Sequence, residues 1–431
     1  MKIAVIGLWH LGCVTAGCLA KIGHEVVAYD PNPELIQKLQ QGISPIFEPG
    51  LDDLLLQTKS SESLRYTSDP KDLAQAEIAL ITFDTPVDDH DIADTAFVLN
   101  ETKAIFPHLA SHALVLVSSQ VPVGSTRCLQ EHCASLYSHK MISFGCLPEN
   151  LRLGKAIDVF MHPDRFIVGL QNKGDQEKVE TLLSPITSNI VWMSIESAEM
   201  TKHALNAFLA TSVVFINELS SLCEQVGANA YEVEMGLKSE ERIGKKAYLK
   251  PGGAIGGGTL LRDVNYLNHL NQQQNNPSHL MSALLESNQH HKEWLCRKVM
   301  SVLSDLKNKT IAVLGLTYKP NTNTLRRSNA VETSRWLHEQ GAIIKAFDPM
   351  INVLPADLAH FIQLQSSIPD ALQNADALII ATEWPQFCEA DISQWLSNMK
   401  KPIIFDPSSF LIKTLTSHIN QIDYYAIGRS A

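Results

Sequence analysis

KIAVIGLWHLG, residues 2–12, opens the chain with an apolar run and ends on the second of two glycines, Gly7 and Gly12. An apolar run that passes through a glycine turn into a helical stretch reads as a buried strand and the start of its crossover. The same alternation continues outward. EVVAYD (25–30), IALITF (78–83), LVLVSS (114–119), MISFG (141–145), FIVGL (166–170) and IVWMS (190–194) read as further strands between helical stretches. Continuous apolar strands separated by helices predict a parallel sheet covered on both faces, ending near residue 195.

The opening is repeated later. IAVIG…GHEVVAYDP (3–31) is echoed by IAVLG…GAIIKAFDP (311–349), with a longer loop, TYKPNTNTLRRSN, after the first strand of the second copy. LIIATEW (378–384) and PIIFDP (402–407) continue it. Between the two copies, Ser197–Gly227 contains no internal Gly or Pro. It predicts one helix of roughly 45 Å at about 1.5 Å per residue, with Gly227 as its stop. The expected fold class is therefore α/β, with two Rossmann-like doubly wound domains joined by a long central helix. Residues 1–195 and 301–431 form the two domains, and 196–300 a helical middle. The Gln/Asn-rich stretch 271–278 reads as a connection between helices.

Bulk properties narrow the function. A chain of 431 residues exceeds one ordinary core. Its net charge of −11 argues against a general nucleic-acid surface. No apolar run reads as long enough to span a bilayer, and the N-terminus lacks a signal-peptide layout, so no membrane partner is expected. Eight scattered cysteines without a CxxC pair suggest neither a disulfide framework nor a zinc site, and fit the cytoplasm. No metal site is expected; the adjacent His290 and His291 read as solvated helix surface.

The first turn carries a cofactor signal. Gly7 and Gly12 occupy the first and third glycine positions of the dinucleotide fingerprint, and Trp9 stands at the middle one. Asp30 ends the second strand, where a carboxylate would take a ribose 2′-hydroxyl and repel the 2′-phosphate of NADP; this favours NAD. Asp30 read alone could simply start the turn DPNP.

Several segments together resemble the UDP-glucose/GDP-mannose dehydrogenase family over the full length. They are GISPIFEPGLDDLL (42–55), Thr85–Pro86, VPVGST (121–126), LPENLRLGKA (147–156), PDRFIVG (163–169), AEMTKHALNAFLA (198–210), FINEL (215–219), RIG (242–244) and GLTYKPNTNTLRRS (315–328). The resemblance implies an NAD-dependent oxidoreductase acting on a nucleotide sugar, usually as a homodimer. It implies catalytic roles for Lys202, Asn206, Asp263 and Glu149. Lys202 and Asn206, four apart on a helix, point the same way. Gly7, Trp9, Leu11, Gly12, Asp30, Thr85, Pro86, Gln120 and Arg326 are expected on the cofactor side. Glu149, Leu151, Lys202, Asn206, Gly256, Gly257, Tyr318 and Lys319 are expected on the substrate side, with Arg242 reaching across the dimer. Taken without the family, Asp263 could be a helix N-cap and Glu149 a first-turn carboxylate.

The departures cluster in the same places. The loop GGAIGGGTLLRD (252–263) carries Thr259 where the family has its nucleophilic cysteine, and Arg262 where it has lysine. Gln120 replaces a threonine, Leu153 a glutamate, and PSS (407–409) the family's GRN. A threonine hydroxyl is a weak nucleophile without a dedicated base. Cys146 reads as a buried small hydrophobe rather than a substitute thiol. The expectation is a single or transient oxidation, against two alternatives: full oxidation to a uronate through a gem-diol, or a catalytically silent nucleotide-binding subunit.

Overall fold

The structure is a computed structural model that describes residues 1–86, 93–149, 151–256, 258–389 and 391–429. The chain divides into two compact units, Met1–Ala204 and Leu205–Ala431.

The first unit is built on an eight-stranded sheet. Its strands are β1 (Lys2–Ile6), β2 (Glu25–Tyr29), β3 (Leu64–Thr67), β4 (Ile78–Ile81), β5 (Leu114–Val117), β6 (Ser143–Cys146), β7 (Phe166–Leu170) and β8 (Ile190–Met193). They lie in the order β3-β2-β1-β4-β5-β6-β7-β8. Successive side chains leave opposite faces, so each apolar run feeds two cores. Ile3, Val5, Leu80 and Leu116 enter one cluster; Ala4, Ile6, Ala79, Ile81, Val115 and Val117 enter the other. Burying each large aliphatic side chain contributes about 1.5–3 kcal/mol.

Two corrections to the sequence reading follow. β7 runs antiparallel to β6, while the other pairs are parallel. An apolar run marks a strand as buried and carries no information on its direction. β3 was not foreseen: LRYT is short, contains a charge, and pairs at the sheet edge with β2.

The second unit repeats the plan with six strands, all parallel. They are β9 (Thr310–Leu314), β10 (Ile343–Phe347), β11 (Ile362–Leu364), β12 (Ala377–Ile380), β13 (Ile403–Phe405) and β14 (Asp423–Tyr425), in the order β11-β10-β9-β12-β13-β14. The segment β3-β2-β1-β4-β5 and the segment β11-β10-β9-β12-β13 have the same topology, which is the sequence echo made visible.

One 32-residue helix, Ile195–Val226, contains the division at 204/205, and Gly227 follows its end as expected. By length and composition alone, with a mean hydropathy of 1.3, this helix is long and apolar enough to cross a bilayer, which the sequence reading did not foresee; a core helix passes the same test. Ala198, Ala207, Ala210, Val214 and Ile216 are buried and Phe208 and Phe215 exposed, so apolar residues occupy more than one face of this helix. The glycine loop ends in a second helix, Gly258–Gln273.

Candidate active site

The cofactor turn is fixed by close approach. Gly7 has φ +95°, and a Cβ there would lie 2.5 Å from the Phe83 ring. A Cβ on Gly12 would lie 1.8 Å from the Gly7 carbonyl oxygen, so the first helix, His10–Lys21, can start this close only with glycine. Trp9 has φ −103° and is 45% exposed, leaving that approach intact. Buried Asp30 accepts from Leu8 N at 2.8 Å and from Asn32 N at 3.0 Å. It therefore braces the turn and also begins the next one. Thr85 Oγ1 donates to the Gln120 carbonyl at 2.6 Å, bringing two expected cofactor-side residues together beside Pro86. The glycine cradle and the acidic residue at the end of β2 fit a dinucleotide.

In the first unit Lys202 Nζ lies 3.3 Å from Glu149 Oε1. Glu149 Oε2 accepts from Leu151 N at 2.6 Å, so this carboxylate holds its own non-helical segment and is no first-turn helix residue. A small hollow holds Lys202 and Glu149 together with Gln120 and Cys146. Burial, with Glu199 adding to it, raises the Cys146 thiol well above its usual range. Such a thiol is inert as a nucleophile.

Three anchoring residues were missed by sequence reasoning. Glu199 accepts from Gly124 N (2.6 Å) and Thr126 N (2.9 Å), pinning the VPVGST turn to the central helix. His203 Nε2 donates to the Val121 carbonyl at 3.1 Å. Glu48 accepts from His10 Nε2 (2.8 Å), Gly154 N (2.8 Å) and Ala156 N (2.9 Å), tying EPGL to LGKA. Burial pushes the Glu48 carboxyl up, but the His10 and backbone donors outweigh it and hold it below the usual range. The signal for Glu48 and Glu199 was present: each lies inside a quoted motif.

In the second unit Asn206 Nδ2 donates to Asp263 Oδ2, and Asp263 is 1% exposed. Asp263 lies inside the helix Gly258–Gln273 and is not its N-cap; Thr259 stands exposed in that helix's first turn. Gly257 lies outside the described residues. Residues 252–255 are held by three carboxamides and an imidazole. Asn217 takes Gly252 N and donates to the Gly253 carbonyl, both at 3.2 Å. Asn288 takes Ile255 N (2.8 Å) and donates to the Ile255 carbonyl (3.2 Å). Asn329 Nδ2 donates to the Ala254 carbonyl at 3.1 Å and packs on Gly256. His291 Nε2 donates to the Gly252 carbonyl at 2.9 Å. His291 is thus buried, in contrast to the solvated residue expected, because its helix turns that face toward the loop.

A cleft of about 590 Å³ in the same unit is lined by Tyr318 and Lys319, as expected, and by Tyr248, Asn329, Cys296 and Ser408. Burial pushes the Cys296 thiol up to about 11, with Glu293 adding to it. Arg242 is solvent-exposed, with Nε 2.8 Å from Glu240 Oε1, and Arg326 is exposed. Neither contributes to that cleft. Among the described residues no group of three metal-ligating side chains comes together.

Comparison with known proteins gives a consistent result. Three domains of the UDP-glucose/GDP-mannose dehydrogenase family match in order: the NAD binding domain over residues 1–187, the central domain over 196–290 and the UDP binding domain over 312–413. UDP-glucose 6-dehydrogenase TuaD of Bacillus subtilis (strain 168) is 34% identical, covering 100% of this chain and 94% of the relative. UDP-glucose 6-dehydrogenase of Rickettsia conorii is 32% identical, covering 99% of each. The structure of a UDP-glucose dehydrogenase from Pyrobaculum islandicum superposes with a TM-score of 0.89 at 27% identity, covering 100% of this chain and 98% of that one.

Proposed function

Because the chain belongs to the UDP-glucose/GDP-mannose dehydrogenase family of NAD-dependent nucleotide-sugar oxidoreductases, we propose that it removes one hydride from its substrate and stops. The observation that carries this is Thr259, a hydroxyl where the family has its thiol. Carrying an aldehyde on to the acid through a covalent intermediate needs a nucleophile that also leaves well. Thr259 is poor at both, and the Cys146 and Cys296 thiols are kept protonated by burial.

Bound NAD supplies the hydride acceptor. Gly7 and Gly12 let the turn backbone approach a pyrophosphate, and Asp30, after β2, is the carboxylate that would take the ribose hydroxyls. Lys202 provides the cation that stabilises the alkoxide as the substrate hydroxyl loses its proton, with Glu149 at 3.3 Å as the acceptor for that proton. Asn206 spends an N–H on Asp263, which fixes its carboxamide and leaves Oδ1 to orient the reacting hydroxyl. By resemblance, Leu11, Thr85, Pro86, Gln120 and Arg326 are assigned to the cofactor, and Leu151, Gly256, Tyr318 and Lys319 to the substrate.

We further assign residues 1–195 to the cofactor, 196–300 to dimerisation and 301–431 to the nucleotide sugar. Eight free thiols suit a reducing cytoplasm. The test is stoichiometry. With NAD and a panel of UDP-, GDP- and CDP-sugars, one NADH should form per sugar consumed. Two per sugar would overturn the single oxidation, and Thr259→Cys should raise the ratio above one.

A further inference from the structure

Part of the lining of the 590 Å³ cleft comes from Pro407 and Ser408, just after β13, and from Ile427, just after β14. Ser408 packs against the glycine loop, where a Cβ on Gly252 would lie 3.8 Å from the Ser408 Cβ. Two bonds join these strand-end segments. Ile427 N donates to the Pro407 carbonyl at 3.2 Å, and Arg429 Nε donates to Ser409 Oγ at 3.1 Å. The half-buried Arg429 side chain also lies over the Tyr231 ring, 4.8 Å from its centre. Backbone fixes the residue before it: Gly428 N donates to Glu224 Oε1 and the Gly428 carbonyl accepts from Ala230 N, both at 2.9 Å. Among the described residues, the two terminal amino groups of Arg429 take no hydrogen bond and no carboxylate pairs with them. Arg429 is thus a guanidinium held in plane and by one edge, with its other edge uncommitted.

The charges of the cleft give that edge a use. Its lining sets Lys292 and Lys319 against Glu293, Glu332 and Glu383. Lys292 Nζ is 3.5 Å from Glu332 Oε2 and so is partly spent. Segment 407–409, Pro-Ser-Ser, brings no charge. A nucleoside diphosphate here would meet more carboxylates than ammonium groups. Glu383 and Arg429 act on the same corner: burial pushes the Tyr231 hydroxyl up to about 12, and of these two charges Arg429 opposes the rise and Glu383 adds to it. We propose that Arg429 binds the diphosphate of the nucleotide sugar, its two terminal amino groups taking two phosphate oxygens while Nε stays on Ser409. A planar fork suits paired phosphate oxygens, and one already anchored loses little freedom on binding. This rests on the nucleotide-sugar reading and adds to it a cation from the segment after β14.

The test presents the full chain with UDP, by calorimetry, and with uridine at millimolar concentration, by saturation-transfer NMR. Arg429→Met should weaken UDP about tenfold or more, the usual loss for hydrogen bonds to a charged group, and leave uridine unchanged. Arg429→Lys keeps the charge without the fork and should recover part of the loss. Undiminished UDP affinity in Arg429→Met overturns the assignment. So does equal weakening of UDP and uridine, which marks a structural role, or a lysine variant that binds UDP no tighter than the methionine one. Native protein that binds none of UDP, GDP and CDP would instead sink the nucleotide-sugar reading, and the assignment with it.

Discussion

Lys202 carries the sharpest residue-scale prediction. Its ammonium is 9% exposed and lies beside a single described carboxylate, Glu149. Lys202→Met should lower kcat by about 10²–10³, the usual loss when a donor aimed at developing negative charge is removed. KM should move far less, which steady-state kinetics at saturating NAD will measure. Asp263 makes a different prediction. It is buried and accepts from Asn206, so Asn206→Leu removes a charge-assisted hydrogen bond from an already desolvated carboxylate. The expected loss is about 1.5–3 kcal/mol in urea unfolding, with kcat falling as well. Unchanged stability would mean that Asn206 is not what holds Asp263. The Lys202–Glu149 and Asn206–Asp263 pairings were legible in part: helix spacing and motif identity picked out the four residues. Their partners were not, because sequence order says nothing about which distant segment packs beside a helix face. His291 shows the limit most clearly. A histidine next to another histidine looks like surface until the fold turns one of them inward.

The glycine loop is an element whose shape is imposed from outside. Glycine lowers the steric barrier to an irregular path and raises the entropy cost of holding one. Asn217, Asn288, Asn329 and His291 offset that cost by taking up successive loop amides and carbonyls. The imidazole makes this clamp sensitive to pH. Burial lowers the His291 pKa, with Arg297 and His290 adding to it, against the Gly252 hydrogen bond and Glu224, which raise it. In the window between that lowered value and the unfolded value of about 6.5, the unfolded chain binds the extra proton. His291 therefore contributes stability fully above about pH 6.5, and loses it as pH falls through the window toward the folded pKa. Urea midpoints at pH 7.5 and 5.5 should fall further for the native chain than for His291→Gln; parallel falls would remove His291 as the cause. The strands built on long apolar runs were legible because such runs signal burial, whereas the short strands β3, β11 and β14 were not, since LRYT, IQL and DYY carry no such run. The direction of β7 was not, because pairing direction depends on connections rather than on composition.

At the scale of the whole molecule, one device appears twice with two outcomes. After β1, Asp30 takes one amide of the glycine turn; after β9, Asp348 Oδ2 takes Leu316 N, Thr317 N, Thr317 Oγ1 and Trp384 Nε1. One oxygen of the second acid is thus taken up by donors from the turn after β9 and from the segment after β12, so the repeat keeps the brace with a denser set of donors. The central helix adds a further property. Phe208, Phe215 and Leu222 are exposed by 71%, 51% and 52%, each seven residues from the next, and Val226 by 68%. A seven-residue apolar repeat keeps one seam on one side of a helix, and a seam of this kind left in water is costly. The occupant that fits an apolar stripe with no matching charge is the same stripe on a second copy, packed about a two-fold axis so that each helix covers the other. Native protein should therefore elute at twice the mass of one chain in light scattering coupled to size exclusion. A Phe208→Asp, Phe215→Asp double variant should elute as a monomer with its far-UV circular dichroism intact. If both proteins run as monomers the stripe has another partner. If both run as dimers the interface lies elsewhere.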